Sequence, residues 1–263
     1  MPAVKSADGT TIAYDKNGDG PALIVVDGAL TTRGSNSKPE LIALLSQRVA
    51  IYTYDRRGRG DSGDTLPYAV AREIEDIDAV IGEAGGAAAL YGHSSGACLA
   101  FDATLALGGK VTKLAMYEAP YDSDPQMRPA WERYLRDMAA ALADGRRGDA
   151  VALFMTFVGA PSEQVTGMRQ SPFWPALEAV APTLAYDHSG ILGADRSVPV
   201  ERAAQVRVPA LVMNGEAGAP FMAATARALC EAIPGAELRT LAGQGHDVSP
   251  AALAPLLADF VAP

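Results

Sequence analysis

Ser94 lies in Gly92-His93-Ser94-Ser95-Gly96, between the apolar runs Ala87-Ala88-Ala89-Leu90-Tyr91 and Ala97-Cys98-Leu99-Ala100-Phe101-Asp102-Ala103. The first run reads as a buried strand and the second as a buried helix. A glycine-flanked serine at such a strand-to-helix turn is the pattern of an activated nucleophile. The glycines two residues to either side remove bulk, so the turn can be tight and the hydroxyl stands out of the sheet edge. The amide of Ser95 then falls in the first helical turn. Backbone N–H groups there lack intrahelical partners and can donate to a developing oxyanion. The chemistry this suits is acyl transfer, which also needs a base. The chain has three histidines. His93 adjoins the nucleophile, so its ring points away from the hydroxyl and a packing role is expected. His188 falls in a stretch without regular periodicity, where a surface or pocket-lining role is expected. His246, in Gly243-Gln244-Gly245-His246 ahead of the last helix, is the remaining candidate. It would take the Ser94 proton and return it to the leaving group.

The elements that must carry these groups follow from the apolar patterning. The 263 residues are 49% hydrophobic and 20% charged, a core-forming balance. The net charge of -9 argues against nucleic acid or an anionic membrane as partner. No apolar run reaches membrane-spanning length. No basic-then-apolar leader is visible, so a cytoplasmic location is expected. Cys98 and Cys230 lie on apolar helix faces without metal-ligand spacing, so both read as buried thiols. No metal and no cofactor is expected. Residues 3–6 and 10–15 alternate about Asp8-Gly9, a hairpin signal. Runs at 22–26, 49–54, 111–117, 210–214 and 236–241 read as further strands. Helical periodicity covers 39–47, 69–84, 220–232 and 250–261, and a polar loop runs through Lys38. Strand and helix alternate, which predicts a parallel sheet with helices on both faces. Residues 121–200 break that rhythm with two helices, near 126–143 and 147–158, and proline-cut pieces. The expected organisation is a core of residues 1–120 and 201–263 with a helical cap, 121–200, inserted in it.

Taken together, the chain resembles the α/β-hydrolase family. Four motifs in order carry the resemblance: Asp27-Gly28 after the third strand, Asp55-x-Arg57-Gly58-x-Gly60-x-Ser62, the turn at 92–96, and Gly245-His246 before the final helix. The resemblance implies an eight-stranded, mostly parallel sheet with the active site beneath the cap. It places the family's base at His246. It also assigns the oxyanion hole to the backbone amides of Ala29 and Ser95. Many members have His-Gly where this chain has Asp27-Gly28, but the donors are main-chain groups; Asp27 is expected to bond loop amides. The Asp55–Gly60 loop lacks the Gly-Lys-Ser/Thr of a phosphate-binding loop and is expected to be structural.

The orienting acid departs from the family pattern. Its usual place, Gly-x-x-Asp after the strand ending at Asn214, reads Gly215-Glu216-Ala217-Gly218. Three carboxylates remain open: Glu118, which ends the strand after the nucleophile helix, Glu216 and Asp122. Glu118 is preferred because some members carry their acid there; one of its oxygens should then reach His246. The leading expectation is a serine hydrolase acting on an ester, lactone or thioester. A C–C bond hydrolase or a non-hydrolytic enzyme on the same residues, and a non-catalytic ligand-binding member, are the rivals. Serine as nucleophile argues against the haloalkane and epoxide branches. Leu30, Tyr121, Trp131, Phe154 and Trp174 are the expected lining of a pocket for a small to medium apolar substrate, with a homodimer left open.

Overall fold

The computed structural model describes residues 2–35 and 38–262. Residues 1, 36, 37 and 263 lie outside the described residues, so the loop expected to run to Lys38 is described only as far as Ser35. The strands are β1 (Ala3–Lys5), β2 (Thr11–Asn17), β3 (Ala22–Val26), β4 (Ala50–Tyr54), β5 (Ala88–His93), β6 (Val111–Tyr117), β7 (Ala210–Gly215) and β8 (Glu237–Leu241). They form one sheet in the order β1-β2-β4-β3-β5-β6-β7-β8. The β1/β2 and β2/β4 pairs are antiparallel and all the others parallel.

The helices are α1 (Lys38–Leu45), α2 (Val70–Glu83), α3 (Ser95–Leu107), α4 (Arg128–Ala143), α5 (Arg147–Phe157), α6 (Ser162–Arg169), α7 (Trp174–Val180), α8 (Val200–Ala203), α9 (Pro220–Ala232) and α10 (Pro250–Val261). Proline marks the start of several: Pro129, Pro175, Pro220 and Pro250 stand in first turns, and Pro161 caps α6. The missing N–H costs nothing at those positions.

The central strands read as unbroken apolar runs because helices cover both faces of the sheet. Alternate residues go to opposite cores. Ile24, Val26, Leu90, Met116 and Val212 face one side with Ile77 and Val80 of α2 and Leu229 of α9. Leu23, Val25, Tyr91, Ala115 and Met213 face the other with Leu45 of α1 and Leu257 of α10.

The topology determines where a site can form. From β3 the chain moves outward to β4, then returns across β3 to β5. β3 and β5 stay paired up to Val26 and Gly92, and the loops leaving them run to opposite faces of the sheet and open a crevice. Asp27-Gly28 leaves β3 at that crevice, and Ser94 follows β5 there.

Between β6 and β7 the segment 121–200 holds helices and no strand among the described residues. Trp131, Tyr134, Met138, Ala141 and Ala150 of α4 and α5 belong to the same apolar cluster as the sheet's α2 and α3 face. Two expectations are corrected here. Trp131 is 1% exposed and packs against Tyr134, Phe157 and His188 as core. Tyr121 is 3% exposed and lies in the same apolar cluster as Cys98 of α3. An aromatic at helical spacing looks the same in sequence whether it lines a cavity or fills a gap. Trp131→Ala should therefore destabilise the fold by about 3–5 kcal/mol, as large core truncations do. Urea unfolding measures it, and a loss under about 1 kcal/mol would return Trp131 to a pocket wall.

His188 is also corrected, from a surface or pocket-lining position to the interior. Residues Tyr186–Leu192 form a π-helical turn, not an irregular loop. His188 is buried in it, with Nδ1 bonded to Tyr134 Oη at 2.9 Å. Burial pulls its pKa from 6.5 down to about 4; Asp187 acts upward, while Arg59 and Arg196 add to the depression. The unfolded chain thus binds more protons between those two values. Stability should fall as pH drops from 6.5 towards 4, approaching about 3 kcal/mol at the acid end. Unfolding free energy measured from pH 7 to 4.5 tests this: His188→Phe should flatten the slope. Of the two cysteines, Cys98 is buried as expected, while Cys230 is only half-buried.

Candidate functional site

The turn after β5 is built by exclusion of volume. A Cβ on Gly96 would collide with the Val26 carbonyl and Asp27 backbone, and one on Gly92 with the backbone of Gly96 and Ala97. Only glycine permits the first turn of α3 to lie this close to β3 and β5. The chain reverses at Ser94, whose φ is 57°. Among the described residues, four non-glycines hold positive φ: Leu30, Ser94, Glu118 and Arg196. The first three stand just beyond β3, β5 and β6. Such strained backbone persists only where its surroundings force it and gathers at functional sites.

The loop after β3 reaches Ser94. A Cβ on Gly28 would stand 2.9 Å from Ser94 Cβ and 3.5 Å from its Oγ. The Gly28 carbonyl accepts from Arg59 Nη1 at 2.5 Å and from Thr31 Oγ1 at 2.6 Å. A trans peptide points its N–H opposite to its carbonyl, so the Ala29 amide faces away from Arg59 and Thr31. Ser95 opens α3, where its N–H has no intrahelical acceptor. Asp27 is buried beside these groups, and its carbonyl accepts from Arg56 Nη1 at 3.1 Å.

The arginines of the Asp55–Gly60 loop are structural. Arg56 forms a fork with Glu73, and Arg57 another with Asp76. All three arginines, Arg56, Arg57 and Arg59, are buried.

Three carboxylates were open as partner to His246, and the structure separates them. Glu118 is 1% exposed, and its Oε2 lies 2.7 Å from His246 Nδ1. Its Oε1 accepts from the Gly215 amide at 3.0 Å. Asp122 pairs instead with Arg196. Glu216 Oε2 accepts from the Gly243 amide at 2.9 Å and so ties down the loop that carries the histidine. The departure at position 218 has a steric counterpart: a Cβ on Gly218 would collide with Glu118 Oε1. An aspartate at 218 and a glutamate at 118 would occupy the same space.

His246 is held from several directions. The Gly245 carbonyl accepts from Tyr117 Oη at 2.5 Å, and the Gln244 carbonyl from the Ala217 amide at 2.8 Å. His93 contributes more than packing. Its Nε2 meets the His246 carbonyl at 3.0 Å, so that nitrogen is the donor, and the two rings lie tilted at 35° with centroids 4.8 Å apart. Nothing in the sequence signals this tether. With a carboxylate at Nδ1, that nitrogen carries the proton and Nε2 is left as acceptor. The His246 side chain is 45% exposed. Ser94 Oγ and His246 Nε2 are not hydrogen-bonded to each other in this structure.

Of the remaining expected lining residues, Leu30 and Phe154 are half-buried. Trp174 is largely buried, in an apolar cluster with Val151 and Ala181 that also touches Leu30. Sequence reasoning missed Asp187 altogether. Its carboxylate, fully buried, accepts from Ser95 Oγ, Arg56 and Arg59. Among the described residues no helix is long and apolar enough to cross a membrane.

Comparison with known proteins agrees with this architecture. No curated protein matches the chain. An α/β hydrolase from Sphaerobacter thermophilus is 46% identical over 98% of this chain and 99% of its own, with a TM-score of 0.89. An esterase from Thermogutta terrifontis shares the fold at 19% identity, 98% and 95% coverage and a TM-score of 0.70. The enol-lactonase from Burkholderia xenovorans does so at 21%, 99% coverage of both chains and 0.64. The model of the alpha/beta hydrolase family matches residues 33–256. With this sheet, this turn and that match, the chain belongs to the α/β-hydrolase family.

Proposed function

We propose that the protein is a serine hydrolase that opens a carboxylic ester, lactone or thioester of a small to medium apolar molecule through an acyl-enzyme. The observation that carries this reading is the 2.7 Å contact between Glu118 Oε2 and His246 Nδ1. Without an orienting carboxylate the imidazole would have no fixed tautomer. With it, Nε2 is free to take the Ser94 proton as Oγ attacks the carbonyl carbon. The amides of Ala29 and Ser95 receive the charge on the former carbonyl oxygen. His246 then protonates the leaving group, and water repeats the sequence in reverse roles to release the acid. The Glu118 carboxylate beside Nδ1 stabilises the imidazolium. The apolar cluster around Leu30 and Trp174 favours an apolar substrate portion. Structural neighbours named as an esterase and an enol-lactonase fall in the same substrate class.

A fluorophosphonate probe followed by peptide mapping tests the nucleophile, and a panel of p-nitrophenyl esters and lactones tests the substrate class. Labelling at Ser94 with turnover of part of the panel is the expected result. An unlabelled Ser94 with no turnover would replace the reading with a non-catalytic ligand-binding one.

A further inference from the structure

Asp187 lies on the π-helical turn Tyr186–Leu192, far in sequence from every motif that marks the site. Its Oδ1 accepts from Ser95 Oγ at 2.8 Å and from Arg56 Nη1 at 2.6 Å. Its Oδ2 accepts from Arg59 Nη2 at 2.6 Å. Each of these three donors leads to the backbone around one oxyanion amide. Ser95 carries one of the two amides itself. Arg59 Nη1 holds the Gly28 carbonyl, which belongs to the same peptide as the Ala29 N–H. Arg56 Nη1 holds the Asp27 carbonyl one peptide earlier. A single carboxylate thus joins the start of α3 to the loop after β3, across the crevice between β3 and β5.

The cluster is an unpromising source of stability. Arg56, Arg59, Glu73 and Asp187 are four buried charges that balance in sign. Apolar residues of similar volume often serve folding as well or better than such a set. What apolar residues cannot supply is direction, since only charged, forked donors hold two carbonyls and a hydroxyl at defined angles.

We propose that Asp187 is a positioning residue that sets the two oxyanion donors in register with Ser94, and that it does so through Ser95 Oγ on one side and Arg59 and Arg56 on the other. The inference rests on the acyl-enzyme reading above. An oxyanion hole acts on the tetrahedral transition state and hardly at all on bound substrate. Its loss therefore falls on kcat and spares KM. Removing one donor outright costs about 10²–10³-fold, and loosening both sets the scale for Asp187.

The test uses the full chain and the best p-nitrophenyl ester of the panel. Asp187→Asn keeps the size, but turns an NH₂ group towards donors; kcat should fall about 10²-fold with KM within about twofold. Ser95→Ala removes only the hydroxyl link and keeps the amide; a fall of about 10-fold in kcat is expected, again at unchanged KM. Tyr186→Phe, which removes a bond from the same turn to Asp64, should leave kcat unchanged. The inhibition constant of an alkyl boronic acid, a tetrahedral mimic, should weaken in both Asp187→Asn and Ser95→Ala in step with kcat. If both variants fold by circular dichroism and keep kcat and boronate affinity within twofold of wild type, the proposal is overturned. If Asp187→Asn does not fold, Ser95→Ala decides alone by the same criteria. A wild-type protein whose Ser94 is not labelled by fluorophosphonate overturns the acyl-enzyme reading itself; labelled Ser94 with unchanged variants overturns only the role of Asp187.

Discussion

Ser94→Ala is expected to lower kcat by on the order of 10⁶-fold, the scale seen when the nucleophile of a serine triad is removed. Nothing else in the crevice is placed to replace it. Ser95 Oγ is turned away into the Asp187 cluster, and His93 and His246 bond each other through a ring and a carbonyl. The melting temperature should barely move. The lost hydroxyl is small and half-buried, and alanine bears the same positive φ of 57° at much the same cost as serine. Loss of turnover together with loss of fluorophosphonate labelling, in a protein that melts as wild type does, is the expected combination. Full activity in the variant would remove the acyl-enzyme mechanism.

The second large effect concerns Glu118. Glu118→Gln preserves size and the bond to the Gly215 amide, yet it removes the charge facing His246 Nδ1. The amide can turn its NH₂ group to the ring and stabilise the tautomer that carries its proton on Nε2. That nitrogen can then no longer accept from Ser94. A loss of about 10⁴-fold in kcat is expected by analogy with the corresponding change in serine proteases. Glu216→Gln should cost little by comparison, because its carboxylate touches the Gly243 amide and not the imidazole.

Position 218 supplies an independent check on the same assignment. In Gly218→Ala the new Cβ would meet Glu118 Oε1, and the acid must shift. A displacement of about 1 Å in a catalytic group costs around 10²-fold, and kcat of Gly218→Ala should fall accordingly. In a Glu118→Ala background only the Gly215 carbonyl, at 3.2 Å, stands close to the new Cβ, and the change should add little further loss. Steady-state kinetics on the four proteins measures that non-additivity. If the two losses multiply independently, Gly218 does not act through Glu118.

Much of the site was legible in the chain itself. The glycine spacing about Ser94 encodes a turn that only glycine can make, because Gly92 and Gly96 meet backbone within collision distance. The buried strands announce themselves as apolar runs, since both faces of the sheet are covered. Position before the last helix and elimination among three histidines single out His246, and the loop after β7 lacks the aspartate that the family resemblance leads one to expect there. These are local signals, carried by neighbours along the chain.

The rest depended on which distant segments meet. Apart from the family resemblance that prefers Glu118, nothing in sequence separates it from Glu216 and Asp122, and the β6/β7 pairing decides that Glu118 stands beside Gly215 and reaches His246. Trp131 and Tyr121 could have lined a pocket or filled a core; the packing of Trp131 on Phe157 of α5 and His188 of the π-helical turn, and the place of Tyr121 in the apolar cluster with α3, put both inside. Asp187 has no motif at all. Its partners lie 92, 128 and 131 residues away, and a carboxylate gains its meaning from the donors around it. Sequence therefore determined the glycine-flanked turn at Ser94, the loop that carries His246 and the strands that bear them, because backbone sterics and burial act between near neighbours. Tertiary structure alone decided which carboxylate meets His246, that Trp131 and Tyr121 are buried, and which groups Asp187 holds, because hydrogen bonds and charge act across space, and only folding brings those groups into contact.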